Sequence, residues 1–160
     1  MTELAIVTGR QPDQQVQFAA GELQRYISKL FGVTATIVPE APPAEAVVFL
    51  DAVAAGLERP SDEQSFLLCR LAHNDRPALA VIGGSPTATL WAVYELVERW
   101  GVRYLLHGDI FPDDAGPFHL PDVNETFTPN LRVRCWRLIN VFACGPESWG
   151  LDETFRCYDK

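Results

Sequence analysis

A short glycine turn is the part of this chain whose residue types most directly suggest chemistry. Gly83-Gly84-Ser85 lies between an apolar run and a helical pattern. Backbone N–H groups at such a turn can bind phosphate with help from the helix dipole. However, the chain has neither the lysine of a G-x-x-x-x-G-K-S/T loop nor G-x-G-x-x-G spacing, and Pro86 removes one donor. A structural turn is therefore favoured, and a nucleotide-binding βα unit is the weakest functional alternative.

The histidines, acids and cysteines form no catalytic or metal-binding motif in the sequence. The three histidines lie in loop-like surroundings with no G-x-S-x-G turn nearby. The acids that could pair for sugar hydrolysis are loop residues without a diagnostic spacing. The four cysteines include no C-x-x-C pair. We expect free thiols, with a disulfide in the last quarter of the chain left open. The sequence thus predicts no catalytic residue, no metal site and no cofactor.

The overall composition is that of a globular domain. Of the 160 residues, 48% are hydrophobic and 21% are charged, and this length is enough for one domain with a core. The net charge of −8 argues against binding nucleic acid. No apolar stretch approaches the ~20 residues that span a bilayer, so no membrane partner is expected. The first residues lack a signal-peptide pattern, which predicts a cytoplasmic location if Met1 is the native start.

Two amphipathic helices are the clearest structural signals. The first is predicted over Pro12–Phe31, with Asp13 at its positive end and Gly32 as its C-terminal cap. The second is predicted over Pro86–Trp100, after Ser85 as N-cap. In both patterns the apolar residues recur at helical spacing along one side, which indicates that this side faces a core.

Short apolar runs around the helices predict β-strands, and a turn-rich spacer at 73–77 predicts a hairpin. The runs are Leu4–Thr8, Val33–Val38, Ala46–Leu50, Ser65–Leu71, Ala78–Ile82 and Val102–Leu105. From His107 to Pro129 the chain is rich in proline, glycine and aspartate without periodicity, which predicts a linker or a packed loop. Apolar residues from Leu131 to Ile139 predict a strand that enters another core.

Each helix carries one aromatic residue on its polar side. Phe18 falls beside basic residues of the first helix, and Trp91 falls among the charged residues of the second. Single exposed aromatics are common on protein surfaces. The alternative is that both are buried by another domain, because large aromatics on a polar face become favourable contacts when a partner covers them. Phe18 and Trp91 are therefore candidate domain-interface residues.

The sequences of both helices resemble motifs of the accessory domain that precedes the barrel in several glycoside hydrolases. The likeness is to the N-terminal domain of α-glucuronidases and the second domain of family 20 β-hexosaminidases. The first motif, A-x-E-L-x-x-Y-I-x-x-x-x-G, is matched by Ala20, Glu22, Leu23, Tyr26, Ile27 and Gly32. The second is matched by Gly84, Pro86, Ala92, Val93, Tyr94, Glu98, Gly101, Val102 and Arg103. The pattern runs from Leu4 to about Gly108, but Ala88 or Thr89 replaces a glycine usual near the start of the second helix.

Together with the order of elements, the resemblance implies an α+β fold in which two main helices pack on one face of a mixed sheet. It divides the chain into an accessory domain at 1–108, a linker at 109–129 and the start of a catalytic (β/α)-barrel at 130–160. A whole barrel needs about 250 residues, so we expect this polypeptide alone to lack glycosidase activity. The expected partners are a catalytic barrel in cis and the carbohydrate substrate of the whole enzyme.

The resemblance also implies substrate-contacting residues in the first barrel strand. Arg134 or Arg137 matches the position of a substrate-contacting arginine, and Asn140 is a further candidate. A different class of function stays open, namely a stand-alone module that binds a sugar or another small ligand. In that alternative the aromatic side chains of Trp136, Phe142 and Trp149 stack on sugar rings.

Overall fold

The computed structural model describes residues 3–105 and 108–134. Its elements are β1 (Leu4–Val7), α1 (Gln14–Phe31), β2 (Ala35–Val38), β3 (Ala46–Phe49), α2 (Ala52–Ala55), β4 (Phe66–His73), β5 (Arg76–Gly83), α3 (Pro86–Arg99), β6 (Arg103–Leu105), β7 (Gly108–Ile110) and β8 (Asn124–Phe127).

Six of these strands form one mixed sheet in the order β2-β1-β3-β5-β4-β8. β1 pairs in parallel with β2 and β3, and β3 pairs in parallel with β5. β4 is antiparallel to both β5 and β8. The β4–β5 hairpin turns at Asn74 and Asp75, whose positive φ angles of 52° and 60° suit a two-residue turn with the twist of the strands. The remaining two strands, β6 and β7, pair with each other outside this sheet.

The predicted caps define both long helices. The Asp13 carboxylate accepts the Gln15 N–H, and Gly32 ends α1 with a φ of 64°. The Ser85 hydroxyl accepts the Ala88 N–H at the start of α3, and Pro86 occupies the first turn. These side chains satisfy donors that a helix start leaves unpaired. The sequence therefore located both helices to within about two residues.

The two long helices cover the same face of the sheet, as predicted. Buried residues of both pack with the strand side chains that point toward them, such as Ile6, Val48 and Val81. Alternate residues, including Val7 and Phe49, point to the opposite face, where short helix α2 and neighbouring loops cover them. The predicted α+β class and mixed sheet are confirmed. The predicted barrel strand lies largely outside the described residues, and residues 131–134 contain no strand.

The segment from 107 to 129, which the sequence predicts to be a linker or a packed loop, contains one edge strand of the main sheet. This strand is β8. β8 pairs with β4, and the ring of Phe127 stacks on that of Phe66 with centroids 4.8 Å apart. Its residues Asn124, Glu125 and Thr126 are exposed. This edge strand therefore lacks the apolar alternation that predicts a strand, and its position is set by pairing with β4. The division into domains at 108 and 129 stays a prediction.

Candidate docking site on the outer face of the helices

The helices α1 and α3 lie side by side and run in the same direction. The Thr87 hydroxyl donates to Gln15 Oε1 over 2.7 Å, and the Tyr94 hydroxyl donates to Glu22 Oε2 over 3.1 Å. Both bonds join residues 72 positions apart. Because the sequence separation is the same for both bonds, the two helices run in parallel. A residue of α1 therefore lies beside the residue of α3 that is 72 positions later in the sequence.

Phe18 of α1 and Trp91 of α3 both lie between the levels of the two cross-helix hydrogen bonds. Phe18 is three residues after Gln15, and Trp91 is four residues after Thr87, so each lies about one helical turn beyond a residue that bonds across the helix pair. Phe18 is 49% exposed and Trp91 is 36% exposed. Both candidate interface residues are therefore exposed at a similar level of the helix pair, and their role in a domain interface stays a prediction.

The described chain ends in a segment anchored beside Trp91, which we name the exit strap (residues 128–134). The Ser65 hydroxyl donates to the Thr128 hydroxyl over 3.0 Å, and the Gln64 side-chain amide donates to the Arg132 carbonyl over 2.8 Å. The Arg134 guanidinium carbon then lies 5.2 Å from the centroid of the Trp91 ring. The strap thus runs from the edge of the sheet to the helix face.

The predicted substrate residues are only partly within the described structure. Arg134 lies over Trp91, so the structure brings one predicted substrate residue together with one predicted interface residue. Arg137 and Asn140 lie outside the described residues, as do Trp136, Phe142 and Trp149 of the sugar-stacking alternative.

A polar group that the sequence did not single out for chemistry joins both helices to the β6–β7 pair. We name it the tyrosine network, and its members are Glu22, Arg25, Tyr26, Tyr94, Tyr104 and Asp109. The Tyr26 hydroxyl donates to Asp109 Oδ2 over 2.8 Å. Arg25 donates twice to the Glu22 carboxylate, over 2.8 and 2.9 Å. The Tyr104 hydroxyl donates to the Tyr94 carbonyl over 3.0 Å. Every one of these bonds joins side chains or backbone within the domain.

The three tyrosine rings of the network pack edge to face. Their centroids are 6.4 Å apart for Tyr26 and Tyr94, 6.2 Å for Tyr26 and Tyr104, and 5.3 Å for Tyr94 and Tyr104. Aromatic pairs at such distances and angles attract beyond the effect of burial alone. Tyr104 and Asp109 are paired neighbours on one face of β6–β7. That face therefore covers the groove between the helices, while Leu105 and Ile110 remain exposed.

The surroundings of Glu22 and of the three tyrosines shift the pKa values of these side chains. Burial acts to raise the pKa of Glu22, but the hydrogen bonds and charge of Arg25, with the Tyr94 hydroxyl, outweigh it and hold the pKa below the usual value. Burial raises the pKa of Tyr26, and its bond to Asp109 raises it further. Burial also raises the pKa values of Tyr94 and Tyr104. At neutral pH the tyrosine hydroxyls are therefore protonated and Glu22 is ionised. Groups with these pKa values stabilise the packing of the elements better than they transfer protons.

Three members of the network, Glu22, Tyr26 and Tyr94, belong to the motifs that carry the family resemblance. On α1 the network residues follow at spacings of three and four, which places them on one side of the helix. This spacing is a signal that sequence reasoning can use. The contact of Tyr26 with Asp109 gives no such signal, because the two residues are 83 positions apart in the sequence.

The glycine turn before α3 is filled by the protein itself. The Gly83 N–H donates to the Thr89 hydroxyl over 3.0 Å, and the Gly84 N–H donates to the Ser65 carbonyl over 2.8 Å. A Cβ atom at Gly83 would collide with the backbone of Thr89, and one at Gly84 would collide with the backbone of Asp62. Both glycines are thus needed for close packing, and their N–H groups are already used. The arrangement supports the structural interpretation over phosphate binding.

Within residues 3–105 and 108–134, no three histidine, cysteine, aspartate or glutamate side chains are grouped so that they could hold a metal ion. In the same part of the chain, no helix has the length and apolar character needed to cross a membrane.

Solved structures similar to this chain include two glycoside hydrolases. No family model matches the chain, and no curated protein sequence matches it. One similar structure is a GH138 enzyme that targets pectin rhamnogalacturonan II, with a TM-score of 0.45 and 12% identity over 61% of this chain and 13% of that one. Another is a family GH115 4-O-methyl-α-glucuronidase with specificity for decorated arabinogalactans. Its TM-score is 0.46 and its identity 16%, over 61% of this chain and 14% of that one. This chain therefore spans a small part of the length of each enzyme.

Proposed function

We propose that this chain provides a non-catalytic accessory domain of a carbohydrate-degrading glycoside hydrolase, whose helix face packs against a catalytic barrel in cis. The observation that carries the proposal is the exposure of Phe18 and Trp91 on the two long helices, with the guanidinium of Arg134, the last described residue, over the Trp91 ring. A barrel that begins near residue 130, as the resemblance implies, would therefore start next to the exposed ring of Trp91.

The packing of the resemblance motifs supports a structural role for this domain. Glu22, Tyr26 and Tyr94 bond to neighbours inside the domain, and Gly84 closes a tight turn. These residues build the helix layer and hold β6–β7 against it. The same domain type, in α-glucuronidases and β-hexosaminidases, is the one that the motifs resemble.

Burial of the two aromatics would make the contact between the domains favourable. Phe18 is 49% exposed, so covering the rest of it would contribute about half of the roughly 1.5–3 kcal/mol that complete burial of such a side chain supplies. Aromatic residues are also enriched in protein interfaces. Under this proposal Arg134 acts at the domain junction, through Trp91, while substrate contacts by Arg137 and Asn140 remain predictions of the resemblance.

Hydrogen exchange measured by mass spectrometry tests the interface. We expect peptides that contain Phe18 or Trp91 to exchange more slowly in the complete gene product with its catalytic domain than in the 160-residue chain. A peptide around Val53, which is 86% exposed on the short helix of the opposite face, serves as the control and should not change. Equal exchange of all three peptides in both proteins would contradict the proposed packing.

Activity of the 160-residue chain provides a second test. We expect no turnover of aryl glycosides or glucuronoxylan fragments, and reproducible turnover that a substitution in this chain abolishes would contradict the non-catalytic role. Titration of oligosaccharides against tryptophan fluorescence tests the stand-alone module. A saturable change that no catalytic domain is needed to produce would favour that alternative.

A further inference from the structure

We infer that the groove between α1 and the edge strand β2 is a binding site for a neutral saccharide. The groove has a volume of about 310 Å³, which is at the lower end of the roughly 300–1,000 Å³ typical of ligand sites. Its lining residues are Gly21, Gln24, Arg25, Ser28, Thr34 and Ala35. The inference goes beyond the proposed function, because a domain that only packs against a barrel needs no ligand of its own.

Gly21 leaves one wall of the groove open at a cost to the helix. It lies in the interior of α1, where glycine is less favourable than alanine because it loses more conformational freedom. The φ angle of Gly21 is not positive, and a Cβ atom there would meet no other atom within 4 Å. Neither a turn nor close packing in the described structure therefore requires this glycine. Glycine also serves where a ligand approaches the backbone closely, and the open space beside Gly21 fits that use.

The polar side chains of the groove offer both donors and acceptors. The Gln24 amide donates to the Ala35 carbonyl over 2.8 Å, which uses one of its two N–H groups and holds the amide at the groove wall. In the described part of the chain, the Ser28 and Thr34 hydroxyls make no hydrogen bond to another residue. Each of these hydroxyls can both donate and accept. The hydroxyl groups of a sugar do the same, so they match this lining.

The charges at the groove favour a neutral ligand over an anion. The Arg25 guanidinium donates through Nε and Nη2 to the Glu22 carboxylate over 2.8 and 2.9 Å. Its Nη2 also lies 3.9 Å from Asp109 Oδ2. Two carboxylates thus compensate the positive charge of Arg25, and the net charge of −8 repels anions from the whole chain. The Nη1 group of Arg25, which makes neither of these contacts, can still donate to a sugar hydroxyl.

The groove is less suited to an added β-strand. β2 is at one end of the main sheet, and the backbone groups of an edge strand can pair with another chain. However, the Ala35 carbonyl already accepts the Gln24 amide, so a strand added along β2 would have to break this bond. A saccharide can use the Gln24 amide where it stands. A saccharide is therefore favoured over an extended peptide.

Amide NMR spectra of the isotope-labelled 160-residue chain test the inference. The probes are cellotriose, xylotriose and galactotriose, with glucuronic acid and inorganic phosphate as anionic counterparts. We expect at least one neutral sugar to give saturable shifts at the Gly21 and Ser28 N–H groups and at the Gln24 side-chain amide. The anions should bind more weakly. No saturable shift at these groups with any of the three neutral sugars, or tighter binding of an anion, would overturn the inference.

Gly21→Gln fills the groove while keeping the helix. A Cβ atom at this position meets no neighbour, and glutamine is a better helix former than glycine, so the urea midpoint should rise. The long side chain competes with the sugar for space, and we expect the affinity to fall about fivefold or more. A variant that is more stable and binds the sugar as tightly as the unchanged chain would overturn the inference.

Gln24→Ala tests the hydrogen bonds of the site. We expect the affinity for the sugar to fall roughly two- to tenfold, as the loss of one hydrogen bond predicts. Gln14→Ala is the matched control, because Gln14 is exposed at the start of the same helix and does not line the groove. Its affinity should not change. Equal affinities for the two variants would overturn the inference.

The readout at Gly21 separates this inference from the other functions considered. No tryptophan lines the groove, so binding there is distinct from the fluorescence change that would favour a stand-alone module. Saturable shifts at Gly21, in a protein whose complete gene product has no glycosidase activity, would uphold the saccharide site and contradict the proposed function. An active enzyme whose Gly21 signal does not respond to any of the three neutral sugars would uphold the function and overturn the site.

Discussion

The guanidinium carbon of Arg134 lies 5.2 Å from the centroid of the Trp91 ring, and this contact joins the end of the described chain to the middle of the second long helix. The same chain segment is held by Gln64 through the Arg132 carbonyl. Two residues that the sequence assigned to different roles, substrate contact and domain contact, are therefore neighbours in the described structure.

Removing the Arg134 side chain should have a small effect on the stability of the domain. Trp91 is 36% exposed, and exposed cation–π contacts contribute about 0.5–1 kcal/mol. We expect Arg134→Ala to lower the free energy of unfolding by no more than this, as measured by urea denaturation. Arg10→Ala, at an exposed ion pair with Glu40, is the control and should change it less. A loss above ~2 kcal/mol for Arg134→Ala, larger than an exposed contact supplies, would show that the strap is part of the core of the domain.

The tyrosine network should contribute unequally to stability, because its acceptors differ. Tyr26→Phe removes a donor from the carboxylate of Asp109, whose side chain is 7% exposed, and a buried charged group that loses a donor costs roughly 1–3 kcal/mol. Tyr104→Phe removes a bond to a neutral carbonyl, which contributes about 0.5–1.5 kcal/mol. We therefore expect Tyr26→Phe to be the more destabilising in urea denaturation. Equal losses would contradict the special role of Asp109.

The network shows where sequence reasoning succeeds and where it stops. Local signals located the helices, since Asp13, Ser85 and Gly32 act at the ends of the elements they adjoin. The contact of Tyr26 with Asp109 depends instead on the packing of β6–β7 on the helices, which no local pattern encodes. The surface position of Trp91 was predictable from helical periodicity, but the arrival of Arg134 over its ring was not.

Edge strands define a second limit of prediction. The central strands β1, β3 and β5 are apolar on both faces, so their sequences are continuous apolar runs that indicate buried strands. β8 has exposed polar residues and is a strand only because β4 offers it hydrogen bonds. Its assignment therefore required the tertiary structure, and the segment that contains it had no periodic signal.

The stability of the domain should fall on acidification, and Glu22 should account for part of that fall. The pKa of Glu22 is lower in the folded protein than the usual value near 4.5, so the unfolded chain binds its proton more readily. The stabilisation is present above pH 4.5 and is lost as the pH falls through the lowered pKa. We expect Glu22→Gln to reduce the pH dependence of the urea midpoint between about pH 3 and about pH 5.

A matched substitution makes this measurement specific. Glu58 is exposed, so Glu58→Gln should leave the pH dependence close to that of the unchanged chain. If Glu22→Gln and Glu58→Gln give the same dependence, the ion pair of Glu22 with Arg25 is not responsible for the acid sensitivity.

Two glycine substitutions should change stability in opposite directions. In Gly84→Ala the new methyl group meets the Asp62 and Pro60 carbonyls, and forced overpacking typically costs about 1–3 kcal/mol. Gly21 lies within α1, where an added Cβ meets no atom within 4 Å. Replacing such a helical glycine by alanine stabilises by roughly 0.5–1 kcal/mol. We therefore expect the urea midpoint to fall for Gly84→Ala and to rise for Gly21→Ala. The phosphate interpretation requires an open turn at Gly84. If Gly84→Ala causes no loss of stability, the packing role assigned to this glycine is contradicted and the phosphate interpretation is open again.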